Sequence, residues 1–152
     1  MTVVITEVTM PMVQLTMPAG VLGPDARATL RRTLAATLLR WEGAPDTAFF
    51  RAQAWSRIEE TAVGAFGALG DDAPRFRVDV TVPEGALSER RKAGLVKELT
   101  AQVLTAADLD STEALRVWVL VNEQPEGTWG AGGAVVKFAE LKAAAQAQRS
   151  DA

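Results

Sequence analysis

Pro18-Ala19-Gly20-Val21-Leu22 and Pro83-Glu84-Gly85-Ala86-Leu87 carry one pattern 65 residues apart, and this repetition decides the fold. Internal similarity at a fixed period means that one supersecondary unit has been used twice. Outward from the pair, the same offset carries Leu30 onto Leu95 and Leu34 onto Leu99, and Val13, Leu15 and Met17 onto Val78, Val80 and Val82. Further along, the offset becomes 63, as a two-residue difference in loop length would produce. Trp55 then meets Trp118, Glu60 meets Glu123, and the stretch Gly64 to Gly70 meets Gly127 to Gly133.

Each unit reads strand, helix, strand. Residues 11–17 and 76–82 alternate apolar and polar, the period of a half-buried strand. Pro24 suits the first turn of a helix that carries Leu30, Leu34 and Leu38 at helical spacing. In the second unit Ser88 is a plausible N-cap, and Leu95, Leu99 and Val103 form the matching stripe. Second strands are expected near 49–58 and 115–121, with glycine-rich turns after them. The chain divides into an N-terminal extension (1–9), a first unit (10–70), a linker (71–75), a second unit (76–138) and a helical tail (139–152), all in one compact domain. The class is α+β. Two β-α-β units with right-handed crossovers give a four-stranded mixed sheet with two helices on one face. The other face is left uncovered. Residues 115–121 are apolar on both sides apart from Arg116, as in a strand buried on both faces, so a second copy of the chain is the expected cover.

Composition narrows the chemistry. The chain has no cysteine and no histidine, which removes disulfides, thiolate ligands, Ser-His triads and most zinc sites. A net charge of −3 without a basic stripe argues against nucleic acid. No apolar run is long enough for a bilayer span, and the first residues lack the pattern of a signal peptide. The expected location is the cytoplasm, with no membrane partner. No metal-ligand cluster or phosphate loop is present, and no cofactor is expected. Arg90-Arg91-Lys92 reads as a solvated helix face, Asp71-Asp72 as linker.

The stretch from Met10 to Gly20, with Met10-Pro11 at its head, resembles the start of a 4-oxalocrotonate tautomerase-type protein. Val121-Asn122-Glu123-Gln124-Pro125-Glu126-Gly127-Thr128-Trp129-Gly130 to Gly133 resembles that family's closing motif. The likeness runs over most of residues 10–138 and is that of a fused, two-unit member of the tautomerase superfamily, a fold shared with macrophage-migration-inhibitory-factor-like proteins. It implies a trimer with sheets facing inward. It also implies that Pro11, once exposed as the N-terminus, is the general base, with arginines holding the carboxylate of a small substrate.

The sequence departs from that pattern in three places. Pro11 is an internal amide as written. Val21 stands where the family often has an arginine. Trp55 and Trp118 occupy the second-strand arginine position, so Arg51 and Arg116, each an even number of residues before its tryptophan, become the candidate carboxylate binders. Trp129 and Phe66, in glycine-rich turns, are the candidate pocket walls, whereas Trp118 reads as core. The plainer alternatives are Pro11 as the start of an edge strand, the two arginines as structural partners of Glu59, Glu60 or Glu123, and Trp129 and Phe66 as staples of their own turns. The register brings Phe76 to the place of Pro11, and Pro74 has no role, so one site per chain is the most the sequence allows. The functional expectation is a cofactor-independent tautomerase that moves a proton in small 2-oxo or 2-hydroxy acids. The alternative is a silent oligomeric binding protein with Pro11 blocked.

Overall fold

The computed structural model describes residues 11–139. The N-terminal extension at 1–9, Met10 and nearly all of the expected tail at 139–152 lie outside them. The first unit consists of β1 (Met12–Pro18), α1 (Pro24–Trp41), a short α2 (Ala48–Gln53) and β2 (Trp55–Thr61). The second consists of β3 (Phe76–Pro83), α3 (Glu89–Ala106), a 3₁₀ turn (Ser111–Arg116) and β4 (Val117–Gln124). A two-stranded ribbon, β5 (Gly130–Ala131) and β6 (Ala134–Val135), follows.

The repeat is reproduced residue by residue. An offset of 65 carries both ends of α1 onto both ends of α3, and an offset of 63 carries α2 onto the 3₁₀ turn. Gly20 and Gly85, the centres of the repeated pentapeptide, have φ of +86° and +83°. This left-handed conformation favours glycine and turns each strand toward its helix.

The sheet order is β2-β1-β3-β4. β1 and β2 are parallel, as are β3 and β4, while β1 and β3 run antiparallel with Val13 opposite Val80. The four-stranded mixed sheet and the α+β class are therefore as expected. Alternate side chains of the two inner strands, Val13, Leu15, Met17, Phe76, Val78, Val80 and Val82, are buried beneath the helix stripes Leu30-Leu34-Leu38 and Leu95-Leu99-Val103. The helices also meet each other. Gln102 donates to Thr37 Oγ1 at 2.7 Å, a contact between repeat-equivalent residues. The ring of Trp41 packs so closely on Gly94 that a Cβ there would lie 2.2 Å from it.

Three expectations need correction. Residues 48–53 are helical, so β2 begins only at Trp55; the hydroxyl of Thr47 accepts from the Phe50 N–H and caps this short helix. Trp118 is not core but 68% exposed in the single chain. The Arg90–Lys92 run is only partly solvated: Arg91 Nη1 donates to the backbone oxygen of Glu42 at 3.4 Å, and Lys92 Nζ lies 3.5 Å from Glu123.

Candidate functional site

The antiparallel pairing of β1 and β3 gives the sheet two equivalent ends, one at the start of β1 and one at the start of β3. Pro11 opens β1, an inner strand and not an edge strand. Its missing N–H falls just before the ladder, where it costs little. Pro11 is buried, and its carbonyl accepts from the Trp55 N–H at 3.1 Å. The register Met12 opposite Thr81 brings the end of β3, and beside it Glu123 and Gln124 of β4, to the same end of the sheet.

Arg51 belongs to this end. It sits on α2, not on a strand, and its Nε lies 3.2 Å from Asp46 on the surface. It also lines an outward cleft of about 930 Å³ with Arg31, Arg32 and Arg40. Trp129 follows the end of β4; it packs edge-to-face on Phe138 at 5.9 Å, and its backbone oxygen accepts from Val136. Arg116 belongs to the opposite end. It closes the 3₁₀ turn, where its Nε donates to the Pro74 oxygen at 2.9 Å and its Nη1 reaches Glu113 at 3.2 Å. Phe76 to Val82 separates that end from Pro11, roughly 20 Å at strand rise. Phe66 is half-buried in the loop after β2, on the Arg116 side. Within one chain, Pro11 and Arg51 share an end while Arg116 and Phe66 do not join them.

Neither arginine pairs with Glu59, Glu60 or Glu123. Glu60 is bridged by Arg27, Glu59 approaches Arg57, and Glu123 approaches Lys92. The first and last of these pairs are repeat-equivalent, each joining the first turn of a helix to the end of the following strand. Both are partly solvated and add little stability.

One group at the Pro11 end went unnoticed in the sequence. Glu42, just past α1, is 8% exposed, and neither side-chain oxygen has a hydrogen-bond partner among the described residues. Burial alone pushes its pKa well above the carboxylate range. The signal was present in the spacing: Leu30, Leu34 and Leu38 continue at i+4 to Glu42. Among the described residues no group of three or more His, Cys, Asp or Glu could hold a metal, and no helix is long and apolar enough to cross a membrane.

The sheet face away from the helices carries Trp55, Arg57, Gln14, Asp79, Arg77, Trp118 and Leu120. Trp55 is 66% exposed and Leu120 36%. The two tryptophans stand at opposite corners of this face, as the repeat requires.

Residues 77–139 match the family model described as Tautomerase enzyme, which makes the second unit a tautomerase domain. No curated protein matches the chain. Among solved structures, a fused 4-oxalocrotonate tautomerase described as a wild-type symmetric trimer is 20% identical, with a TM-score of 0.69 over 84% of this chain and 96% of the other. A protein described as N1, of the cis-3-chloroacrylic acid dehalogenase family, is 22% identical, with a TM-score of 0.68 over 93% and 99%. A third, described as inactivated by 2-oxo-3-pentynoate, is 18% identical, with a TM-score of 0.71 over 86% and 98%. These likenesses show the fold of the described residues.

Proposed function

We propose that this chain, a tautomerase domain by its second unit and tautomerase-like in fold throughout, is a cofactor-independent isomerase that moves a proton in small 2-oxo acids. The observation that carries the reading is Pro11, buried at the head of an inner strand in a protein without histidine or cysteine. A terminal proline is a secondary amine. Terminal amines titrate near about 8 in the open, and burial lowers that value, toward the working pH where a general base is most effective. Such an amine takes a proton from the enol hydroxyl or from the carbon beside the 2-oxo group and returns it elsewhere on the same molecule. Arg51 is the proposed holder of the substrate carboxylate, through charge-assisted hydrogen bonds, and Trp129 part of the wall. Arg116 and Phe66, far from Pro11 in the same chain, serve this site only from another copy.

That requirement agrees with a homotrimer in which the open sheet face is covered. Three solved neighbours are described as fused trimers, and Trp55, Trp118 and Leu120 are the apolar residues such a face would bury. A neighbour inactivated by a 2-oxo acid supports the substrate class. Sedimentation at micromolar concentration tests the assembly, and a monomer would contradict it.

The catalytic reading is tested with two chains, one beginning at Met1 and one coded from Met10 with that methionine removed. Ketonisation of 2-oxo acid enols is measured for both. The chain with a free Pro11 is expected to be faster by about 10²–10⁴-fold, the usual contribution of a general base. Equal rates, without trimming of the longer chain, would remove Pro11 from the mechanism and direct attention to Glu60 or Glu123. Inactivity of both would favour an oligomeric binding protein with Pro11 blocked. Halide release from a 3-haloacrylate in place of ketonisation would reassign the reaction while keeping the amine.

A further inference from the structure

A carboxylate is seldom buried without a partner. Glu42 is also at the wrong end of its helix: its N–H donates to the Leu38 oxygen at the C-terminus of α1, where the dipole is negative and disfavours an anion. The nearby cations are turned elsewhere. Arg91 of α3 gives Nη1 to the backbone oxygen of Glu42, Arg40 of α1 is paired with Glu98 of α3, Lys92 lies between Glu89 and Glu123, and Arg51 of α2 meets Asp46. The helix-facing side chains of β1 and β3 are apolar (Val13, Leu15, Val80, Val82), and α2 contributes the buried Phe50. Among the described residues no cation pairs with the Glu42 carboxyl, although Arg91 holds the backbone oxygen of the same residue.

We infer that Glu42 is the counter-charge of a free Pro11 amine: in a chain that begins at Pro11, the carboxylate pairs with an ammonium that the amide nitrogen of a longer chain cannot provide. The inference rests on the reading of Pro11 as an N-terminal base. Two observations bring the residues together. The first is the ladder of levels. Helix residues four apart advance by about 6 Å and strand residues two apart by about 6.6 Å, so the stripe Leu30-Leu34-Leu38-Glu42 descends in step with Met17-Leu15-Val13-Pro11. Arg27 bridging Glu60, which pairs with Met17, anchors the upper level. The second is the other unit. Repeat offsets carry Pro11 onto Phe76 and Glu42 onto Ala107. Phe76 is in the core cluster, and Ala107 is among the partly buried residues packed against that cluster. Where the strand starts with a large ring, the helix ends in a small residue. Where it starts with proline, the helix ends in an acid.

Glu42 is thus a positioning residue. Burial pushes the Pro11 amine down and the carboxylate pushes it up, so Glu42 helps set where the amine titrates. The test is an NMR titration of the Pro11 nitrogen and the Glu42 carboxyl carbon. It uses the chain from Met1 and the chain beginning at Pro11, which retains all the core residues named above, with circular dichroism checking the fold. Glu42 is expected to stay protonated well above the carboxylate range in the longer chain and to ionise at lower pH in the shorter one. Glu42→Gln, and independently Glu42→Ala, which copies Ala107, are each expected to lower the Pro11 amine pKa by about 1–3 units, the usual effect of removing an opposite charge. The pH–rate profile should move with it. Identical titration of Glu42 in the two wild-type chains, or an unmoved amine in either folded variant, would overturn the pairing. An amine shift in an inactive protein would uphold the pairing and sink the isomerase reading. Activity without a shift would do the reverse.

Discussion

In the first unit the inner strand starts at a buried proline and the helix ends on a buried glutamate; in the second unit the same two places hold Phe76 and Ala107. Elsewhere the units agree closely, with equal helices, equal turns at Gly20 and Gly85, and equivalent ion pairs at Glu60 and Glu123. One end of the sheet is filled with hydrocarbon, whereas the other buries a carboxyl group. A repeat of this kind separates two demands on a small fold. Both units supply packing, but the first also spends a buried position on a carboxyl that hydrophobic filling would have made unnecessary.

Core substitutions test whether the units carry equal structural weight. Leu34→Ala and Leu99→Ala are repeat-equivalent, and both residues are essentially inaccessible. Each is expected to destabilise the fold by about 2–5 kcal/mol in denaturant unfolding, and a difference between them would show that one unit dominates the core. Gly94→Ala should cost about 1–3 kcal/mol, because the new methyl must displace the Trp41 ring. Its counterpart Thr29 has no such constraint, so Thr29→Ala should be nearly neutral.

The arginines sharpen the contrast between the two ends. Arg51→Ala is expected to weaken binding of a small 2-oxo carboxylate by about 1.5–3 kcal/mol, read by calorimetry. Arg116→Ala should do so only in the assembled oligomer, since it lies at the opposite end of its own chain. If neither matters, the two arginines are structural.

A pH dependence separates the ends further. In the Met1 chain the raised pKa of Glu42 means that the folded state holds its proton more tightly than the unfolded state. Stability is then fully present below the ordinary carboxylate range and is lost as pH rises through the folded-state value. Glu42→Gln should flatten that slope. Unfolding midpoints measured across the pH range decide it, and an unchanged slope would contradict the burial. A small effect is expected at the Arg27–Glu60 pair: Arg27→Ala should change stability by no more than about 1 kcal/mol, as for other solvated ion pairs.

Much of the fold was legible because its signals are periodic. The leucine stripes, the strand alternation and the repeated Pro-x-Gly turn each recur, so chance is unlikely to produce the series. The short helix at 48–53 was not legible in the same way. Its apolar residues Phe49 and Phe50 read as strand, and only the Thr47 cap marks the helix. Strands expected from residue 49 and from residue 115 placed Arg51 and Arg116 on them by even spacing, whereas both precede their strands. Pro11 is proposed through resemblance and through the lack of other bases. Glu42 was hidden because an acid at the end of a leucine stripe looks like the solvated last turn of a helix. Its i+4 spacing from Leu38 continues the buried stripe, and its burial in the structure shows that it belongs there.

The central claim, that the Pro11 amine is the proton-transfer base, is tested most directly by two curves on the chain beginning at Pro11. One is the titration of the Pro11 nitrogen by NMR, the other the pH dependence of kcat/KM for ketonisation. If Pro11 is the base, the two share a single pKa, and both move together in Glu42→Gln. A rate profile that follows some other pKa, or that stays fixed while the amine titration moves, would contradict the account.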